Sequence, residues 1–599
     1  MSYTLNMAVD RPWLTERIER VSGMDAYQRP TLLPPDIFAL MENRLVTDNG
    51  KCKVRPGFDM LGTPLSENLI PGGATYNYPG FYQLGGLTIG RAYYWTKGAN
   101  ETSLVNGTED LTASGQFIAM AGAIAVTGPF GTFAAVTAKI YDLEADTLPP
   151  VQALAFHQRA GEQRLVAVCN RTLHNWNGSS WSAAIAGWTA TSSNRLVQLA
   201  PMNNKLYVVD GTQRIFEFDG SNFTALAGGD DPQAGATMIV SHADRLFAAG
   251  WDGTVVAPYT IRASDLRDAG TGKWHPINFD FQVGSDYAPI TALVPMLRNW
   301  LVVFKQNAIH MVNCDPLQPT AATWLKQELT LELGCVGRRA AIRVGGDCWF
   351  WSQDGIRGIT SAVGTEGAFE LVAPYSQPMQ PYVDRVNLAY KHLIAAHRYR
   401  DLVFFAVPLD SATEPSHTLV FNARLRQWMG VWSGVTPTCW ATTRFDGTAE
   451  RLVMGDTAAR VNQWKDLDDQ DDTATYTDNG ADIASTLTTK SFNFGEPDSN
   501  KDGDFWEFLF DVSVAVNCTV TAYYDTEAVP PWTITDEVQN GLPVDLPFDL
   551  AVARARRVRN NLDSLGDFRE VYFTITTTAG NNVFLTGSVN AWLESVRDT

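Results

Sequence analysis

At 599 residues, with 45% hydrophobic and 19% charged side chains, the chain is long enough for several domains and buries a sizeable core. Its 46 basic and 65 acidic residues leave a formal charge of −19 and a pI near 4.9, which argues against a protein that grips nucleic acid through a basic surface. Cys52, Cys169, Cys314, Cys335, Cys348, Cys439 and Cys518 are scattered, odd in number and without a CxxC pair, and residues 1–21 are too charged for a signal peptide. Buried, reduced thiols in a chain made in a reducing cytoplasm are the expectation.

In chain order, residues 1–61 read as an N-terminal arm with one short helix. Leu33-Pro34-Pro35-Asp36 resembles a helix entry, and 37–43 carries apolar residues at near-helical spacing. The turn Asp48-Asn49-Gly50 follows, then Lys53-Val54-Arg55-Pro56-Gly57-Phe58. Residues 62–149 read as an inserted small β domain, with strand-like runs at 89–94, 117–126 and 132–141. The small, apolar stretch 117–138 is interrupted by Gly128-Pro129 and Gly131, so no membrane span is predicted.

From 150 to 465 the chain repeats itself. The clearest pass, 195–226, has three short strands punctuated by Asn203-Asn204, Asp210-Gly211 and Asp219-Gly220. Passes open near Val151, Leu196, Thr237, Pro289, Val336, Leu388 and Thr436, at spacings of 45, 41, 52, 47, 52 and 48 residues. Strand-built repeats of this length predict an all-β fold, a β-propeller of about seven blades. The seventh pass shows three strands rather than four, and the arm is the candidate donor of a closing strand. An acidic linker, 466–484, begins at Asp466-Leu467-Asp468-Asp469. Alternation such as Val571, Phe573 and Ile575 against Tyr572, Thr574 and Thr576 then predicts a C-terminal β-sandwich over 485–599.

Few residues suggest chemistry. Ser352-Gln353-Asp354-Gly355 resembles a sialidase Asp-box but occurs once, and a hairpin turn explains it. Asp498, Asn500, Asp502 and Asp504 space oxygen ligands as a calcium loop does, yet Leu509 stands where such a loop carries its Glu. Calcium is the one cofactor weighed, against a plain polar hairpin; otherwise none is expected. The eight histidines form no HExxH, no GxSxG elbow is present, and no catalytic residue is assigned. Arg554, Arg556, Arg557 and Arg559 form the one basic cluster, read as a solvated loop or a subunit interface.

Several segments together resemble the β-propeller tail-hub and tail-nozzle proteins of short-tailed bacteriophages, which include packaged-DNA stabilisation proteins. They are Leu33-Pro34-Pro35-Asp36 through Glu42-Asn43-Arg44, then Arg55-Pro56-Gly57; Asp244-Arg245-Leu246-Phe247; Asn299-Trp300-Leu301; Gly334-Cys335-Val336-Gly337 with Phe350-Trp351-Ser352-Gln353-Asp354-Gly355; and Val420-Phe421-Asn422 with Gln427-Trp428. The resemblance implies a virion structural protein and no enzyme, in a homo-oligomeric ring, usually a hexamer, below portal and adaptor. Such a ring, assembled in the host cytoplasm, extends the DNA channel, retains the genome and offers docking surface to fibres or spikes. DNA would pass its acidic lumen without sequence-specific binding. The competing expectation is a carbohydrate-binding or carbohydrate-active propeller, since surplus Trp suits sugar stacking.

Overall fold

The apolar runs fold as strands almost throughout. The computed structural model describes residues 13–65, 81–128, 136–142, 149–465, 476–535, 555–561, 567–578 and 584–593, with short breaks at 48, 86, 91, 160–161, 193–195, 252, 254–255, 362–367, 445–449, 512–516, 526 and 529–530. Two units divide the chain.

The first unit holds Met60–Cys348 and Thr436–Trp464. The repeated passes become antiparallel sheets in which consecutive strands are neighbours. One runs Gln198–Met202, Lys205–Val209, Phe216–Phe218, Phe223–Ala225. Asn203 and Asn204 turn its first hairpin at φ 49° and 62°, the left-handed pair that a two-residue loop requires and asparagine tolerates. Second strands are packed on both faces, so their apolar runs are continuous rather than alternating; Arg245–Ala249 and Trp300–Lys305 are buried at every position.

Seven such sheets follow in order, opening at Val151, Gln198, Met238, Ile290, Ala341, Ala395 and Cys439. Each lies close to its predicted opening, and the fold is a β-propeller. The fifth sheet falls across the division between the units, and the sixth belongs to the second unit. The seventh has three strands of its own and takes Phe58–Met60 as its fourth. Just beyond that strand, Leu61 N donates to Val461 O at 2.7 Å and Leu65 N to Ala459 O at 2.8 Å. The closing strand therefore comes from the arm, as expected.

Residues 62–149 include a small β-sandwich, with sheets of four and three strands between Phe81–Gly85 and Lys139–Asp142. Its core includes Tyr93, Trp95, Leu104, Phe117, Ile124 and Ile140. The run 117–126 is two strands, Gly115–Ile118 and Ala123–Thr127, with a bend between them. Of the run 132–141, residues 132–135 lie outside the described residues.

The second unit holds Met1–Asp59, Trp349–Val435 and Lys465–Thr599. One ten-stranded sheet passes from the sixth propeller sheet, Ala395–Tyr399 to Gln427–Trp432, through Leu40–Glu42 of the arm, to Ser485–Thr488, Val571–Thr577 and Asn517–Tyr524 of the tail. The facing sheet joins Ala555–Asn561, Lys501–Asp511 and Phe584–Leu593 to the arm strands Cys52–Val54 and Arg44–Val46, while Trp13–Ile18 pairs with Phe584–Leu593. Between the sheets, Phe508 meets Phe573 at 5.3 Å and Phe584 at 5.5 Å, and Phe38 of the arm meets Phe584 at 5.9 Å.

Two expectations are corrected here. The arm is no separate segment, and its helix is not formed: Pro30–Leu32 makes a 3-10 turn, then Ile37–Phe38 and Leu40–Glu42 are strands. An edge on each side of Leu40–Glu42 offers it hydrogen bonds, which outweighs a local helical pattern. The acidic linker is partly structured as well. Residues 466–475 lie outside the described residues, but Thr477–Asp478 and Ala481–Asp482 pair as a hairpin.

At the end of a second strand, a buried polar side chain ties its sheet to loops. Asp456 accepts from the Ala458 and Arg460 amides at 2.8 and 2.9 Å, and the Lys305 ammonium donates to Val283 O at 2.8 Å and pairs with Asp286. Asp210, 1% exposed, accepts from Thr191, Thr212 and Gln213 amides at 2.9–3.0 Å. Burial works to raise its carboxyl, but the Gln213, Thr212 and Thr191 amides and the Thr191 hydroxyl outweigh it and hold the group at about 2. A depressed pKa adds stability above the unfolded value of about 4 and loses it as pH falls toward about 2. Asp210→Asn should cost about 2 kcal/mol at neutral pH. Its unfolding free energy should vary less than wild type between pH 4 and 2, measured by urea titration.

Candidate functional site

The densest polar arrangement in the second unit gathers around Asn43 and Arg55. Asn43, at φ 53°, lies between Leu40–Glu42 and Arg44–Val46. Its amide donates to Val431 O at 2.8 Å and its carbonyl accepts from Arg55 N at 2.9 Å. Its side-chain Nδ2 donates to Ser433 Oγ at 3.0 Å and Ala484 O at 2.8 Å; its Oδ1 accepts from Ser433 N at 2.9 Å and Arg55 Nε at 3.0 Å. One asparagine thus joins arm, sixth sheet and tail.

Arg55 is 0% exposed. Besides Asn43, its guanidinium reaches Pro56 O at 3.3 Å, Ser433 O at 3.1 Å and both Asp478 oxygens, at 2.9 and 2.5 Å. It lies 5.8 Å from the Phe58 ring centre and 5.6 Å from that of Trp432. Asp478 also accepts from Phe58 N at 3.0 Å. Gly57 sits where the chain brushes the hairpin: a Cβ there would lie 1.8 Å from Thr477 O. The Arg-Pro-Gly motif is therefore a buried bidentate ion pair followed by a close backbone approach. With all five guanidinium N–H groups occupied, it holds chain segments together and has no donor left for a ligand.

In the first unit, Arg338 and Arg339 do comparable work without a carboxylate. The first strands of successive sheets pack against one another, and both side chains reach the residues that open them. Arg339 donates to Val197 O at 2.6 Å, Thr438 O at 3.1 Å and Gln152 O. Arg338 donates to Thr237 O at 3.0 Å and Leu196 O at 3.4 Å. Carbonyls of the first, second, third and seventh sheets are thus bridged by two adjacent residues. Burial pushes the Arg339 guanidinium below its usual value. Sequence reading stopped one residue short, at Gly337; two arginines inside an apolar stretch, just before a strand, were the available signal.

The residues singled out beforehand fall out as follows. Asp498 and Asn500 lie in the turn before Lys501–Asp511, while Asp502 and Asp504 lie on that strand. The side chain of Asp504 lies outside the described residues. The Lys501 ammonium takes the carbonyls of Glu496, Ser499 and Arg569 at 2.5, 2.8 and 2.8 Å, and among the described residues no group of three His, Cys, Asp or Glu could hold a metal. Arg556, Arg557 and Arg559 stand on a strand, Ala555–Asn561, not in a loop. They lie opposite Phe510, Leu509 and Glu507, and the strand ends its sheet. Arg554 lies outside the described residues. Asp354 turns a hairpin and pairs with Arg357 at 2.5 Å. His275 stands 3.4 Å from Asp230 and 3.2 Å from Asp265, a grouping the sequence separates. All seven cysteines are buried thiols, none in a disulfide. Among the described residues no helix is long and apolar enough to cross a membrane.

No protein-family model matches the chain, and no curated protein does. Among solved structures it is similar to virginiamycin B lyase from Staphylococcus aureus, at 9% identity over 53% of this chain and 95% of that one, TM-score 0.34. It is also similar to YCF48 from Cyanidioschyzon merolae, at 9% over 53% and 96%, TM-score 0.33. A third is the Myceliophteria thermophila Cps50 (Swd1) β-propeller domain, at 10% over 53% and 96%, TM-score 0.35. One of these is an enzyme by name and another is not, and at such scores none bears on what this chain does. The propeller rests on its own sheets.

Arg55→Ala would leave Asp478 without its buried partner and should destabilise the second unit by about 3 kcal/mol, read as a lower urea midpoint; Arg55→Lys cannot restore the bidentate pair and should recover only part of it. Arg339→Ala gives up three bonds to carbonyls and should cost about 3 kcal/mol by the same measurement.

Proposed function

We propose that the chain is a virion structural protein of a bacteriophage tail. In this reading copies form a hub or nozzle ring, a hexamer, that continues the DNA channel below portal and adaptor. The ring retains the packaged genome, passes it during ejection, and docks fibres or spikes. The observation that carries the reading is that residues bearing the family resemblance, Glu42-Asn43-Arg44 and Arg55-Pro56-Gly57, are the ones spent on joining arm, blade and tail. A protein whose most elaborate polar site holds segments together is suited to bearing load. The net charge of −19 supports a wall that repels a polyanion and lets it slide.

The reading includes no catalysis and no cofactor. It places DNA in the lumen of the ring, passing without sequence-specific binding. The carbohydrate alternative gains nothing from the tryptophans that suggested it. Trp188, Trp300, Trp428 and Trp464 are 4%, 7%, 2% and 3% exposed, so their faces are already used in packing.

Purified protein mixed with its portal and adaptor and viewed by negative-stain microscopy should show a six-fold ring with an axial hole. A monomer that leaves the portal bare and instead binds or cleaves a host glycan would overturn the proposal.

A further inference from the structure

The arm of the second unit is bonded to partners that lie far away in sequence. Asn43 reaches Ser433 and Ala484, 390 and 441 residues on; Arg55 reaches Asp478, 423 on; Arg44 reaches Thr577 Oγ1 at 3.3 Å, 533 on. The strand Leu40–Glu42 is an interior strand only because Gln427–Trp432 flanks it on one side and Ser485–Thr488 on the other. Closing loops of this length costs entropy that no earlier contact offsets.

The fit is close where the strand enters. Gly430, at φ +120°, faces Met41, and a Cβ there would lie 2.2 Å from Met41 O. Asn43 is held in the left-handed region, and every polar atom of its side chain is used. The insert also carries charge into the interior. Arg44 and Arg55 are both 0% exposed, and the ionisable groups beside Arg44 are the thiols of Cys52 and Cys518; burial pushes the Cys52 thiol up to about 11. Bringing two guanidiniums out of water is costly unless each partner is already in place.

We infer that residues 37–47 and 49–55 form a strap that enters the second unit last and leaves it first, so that this unit closes only in a chain made through to the Val571–Thr577 strand. Before the strap enters, the edges of Gln427–Trp432 and Ser485–Thr488 are bare, and Asp478 lacks its partner. The strap thus couples closure of the N-terminal segment to completion of the C-terminal one. It stands whether or not the protein belongs to a phage tail.

Cys52 lies on the strap, Cys518 lies beside Arg44, and both are buried thiols outside any disulfide. The test treats the full chain with N-ethylmaleimide at pH 8 and reads each cysteine by peptide mass spectrometry, with amide hydrogen exchange on the same samples. Cys52 should react at least tenfold faster than Cys169, Cys314, Cys335, Cys348 and Cys439, and Cys518 should keep pace with Cys52. Peptides covering Leu402–Val407 and His417–Asn422 should stay protected meanwhile.

Asn43→Ala should speed Cys52 and Cys518 at least tenfold and leave the other five unchanged. Ser433→Ala, which removes single contacts to Glu42 and Asn43, should act in the same direction if Asn43→Ala does not fold. The inference is overturned if all seven thiols react at one rate. It is also overturned if the sixth-sheet peptides exchange together with the strap, or if the variants speed every cysteine alike.

Discussion

The second unit depends on one buried ion pair and the asparagine that supports it. A guanidinium removed from water is tolerable only if its donors and its charge are both answered. Arg55 meets that condition with two oxygens of Asp478, two carbonyls and Asn43. Because those groups come from the arm, the end of the sixth propeller sheet and the linker hairpin, satisfying one side chain fixes the path of three chain segments. Gly57 and Gly430 follow from the same constraint, since segments drawn so close leave no room for a Cβ.

Elsewhere the protein solves the buried-cation problem with peptide carbonyls. Lys501 is held by three of them in the tail, and Arg338 and Arg339 by five between the openings of four sheets. Carbonyl dipoles satisfy donors without adding a second desolvated charge, and they belong to the backbone, so they hold chain segments directly. In the acidic loop that reads like a calcium site, the Glu496 and Ser499 carbonyls are taken by the chain's own cation. At sheet ends Asp210 and Asp456 do the converse, their carboxylates taking loop amides, while Lys305 combines the Val283 carbonyl with Asp286.

These sites have little capacity to act on a ligand, and that is their bearing on function. Asn43, Arg55, Arg339 and Lys501 are committed to backbone or to each other, and Trp188, Trp300, Trp428 and Trp464 are packed. A load-bearing role fits such commitments. The tail-wall proposal builds on that fit and on the family resemblance of the same residues.

The repeat of strand runs and Asn-Asn or Asp-Gly turns was enough to determine the propeller, its seven sheets and their openings, because hairpins are local and their hydrophobic period is written over a few residues. The alternation of Val571, Phe573 and Ile575 likewise determined a half-buried tail strand. Only the tertiary structure decided what the arm does. The segment 37–43 has helical spacing, yet it is extended because two distant strand edges compete for its hydrogen bonds. Most partners of Asn43, Arg55, Arg339 and Lys501 were also illegible in advance: they are carbonyls, or the Ser433 and Asp478 side chains hundreds of residues away, and neither kind leaves a pattern in the neighbouring sequence.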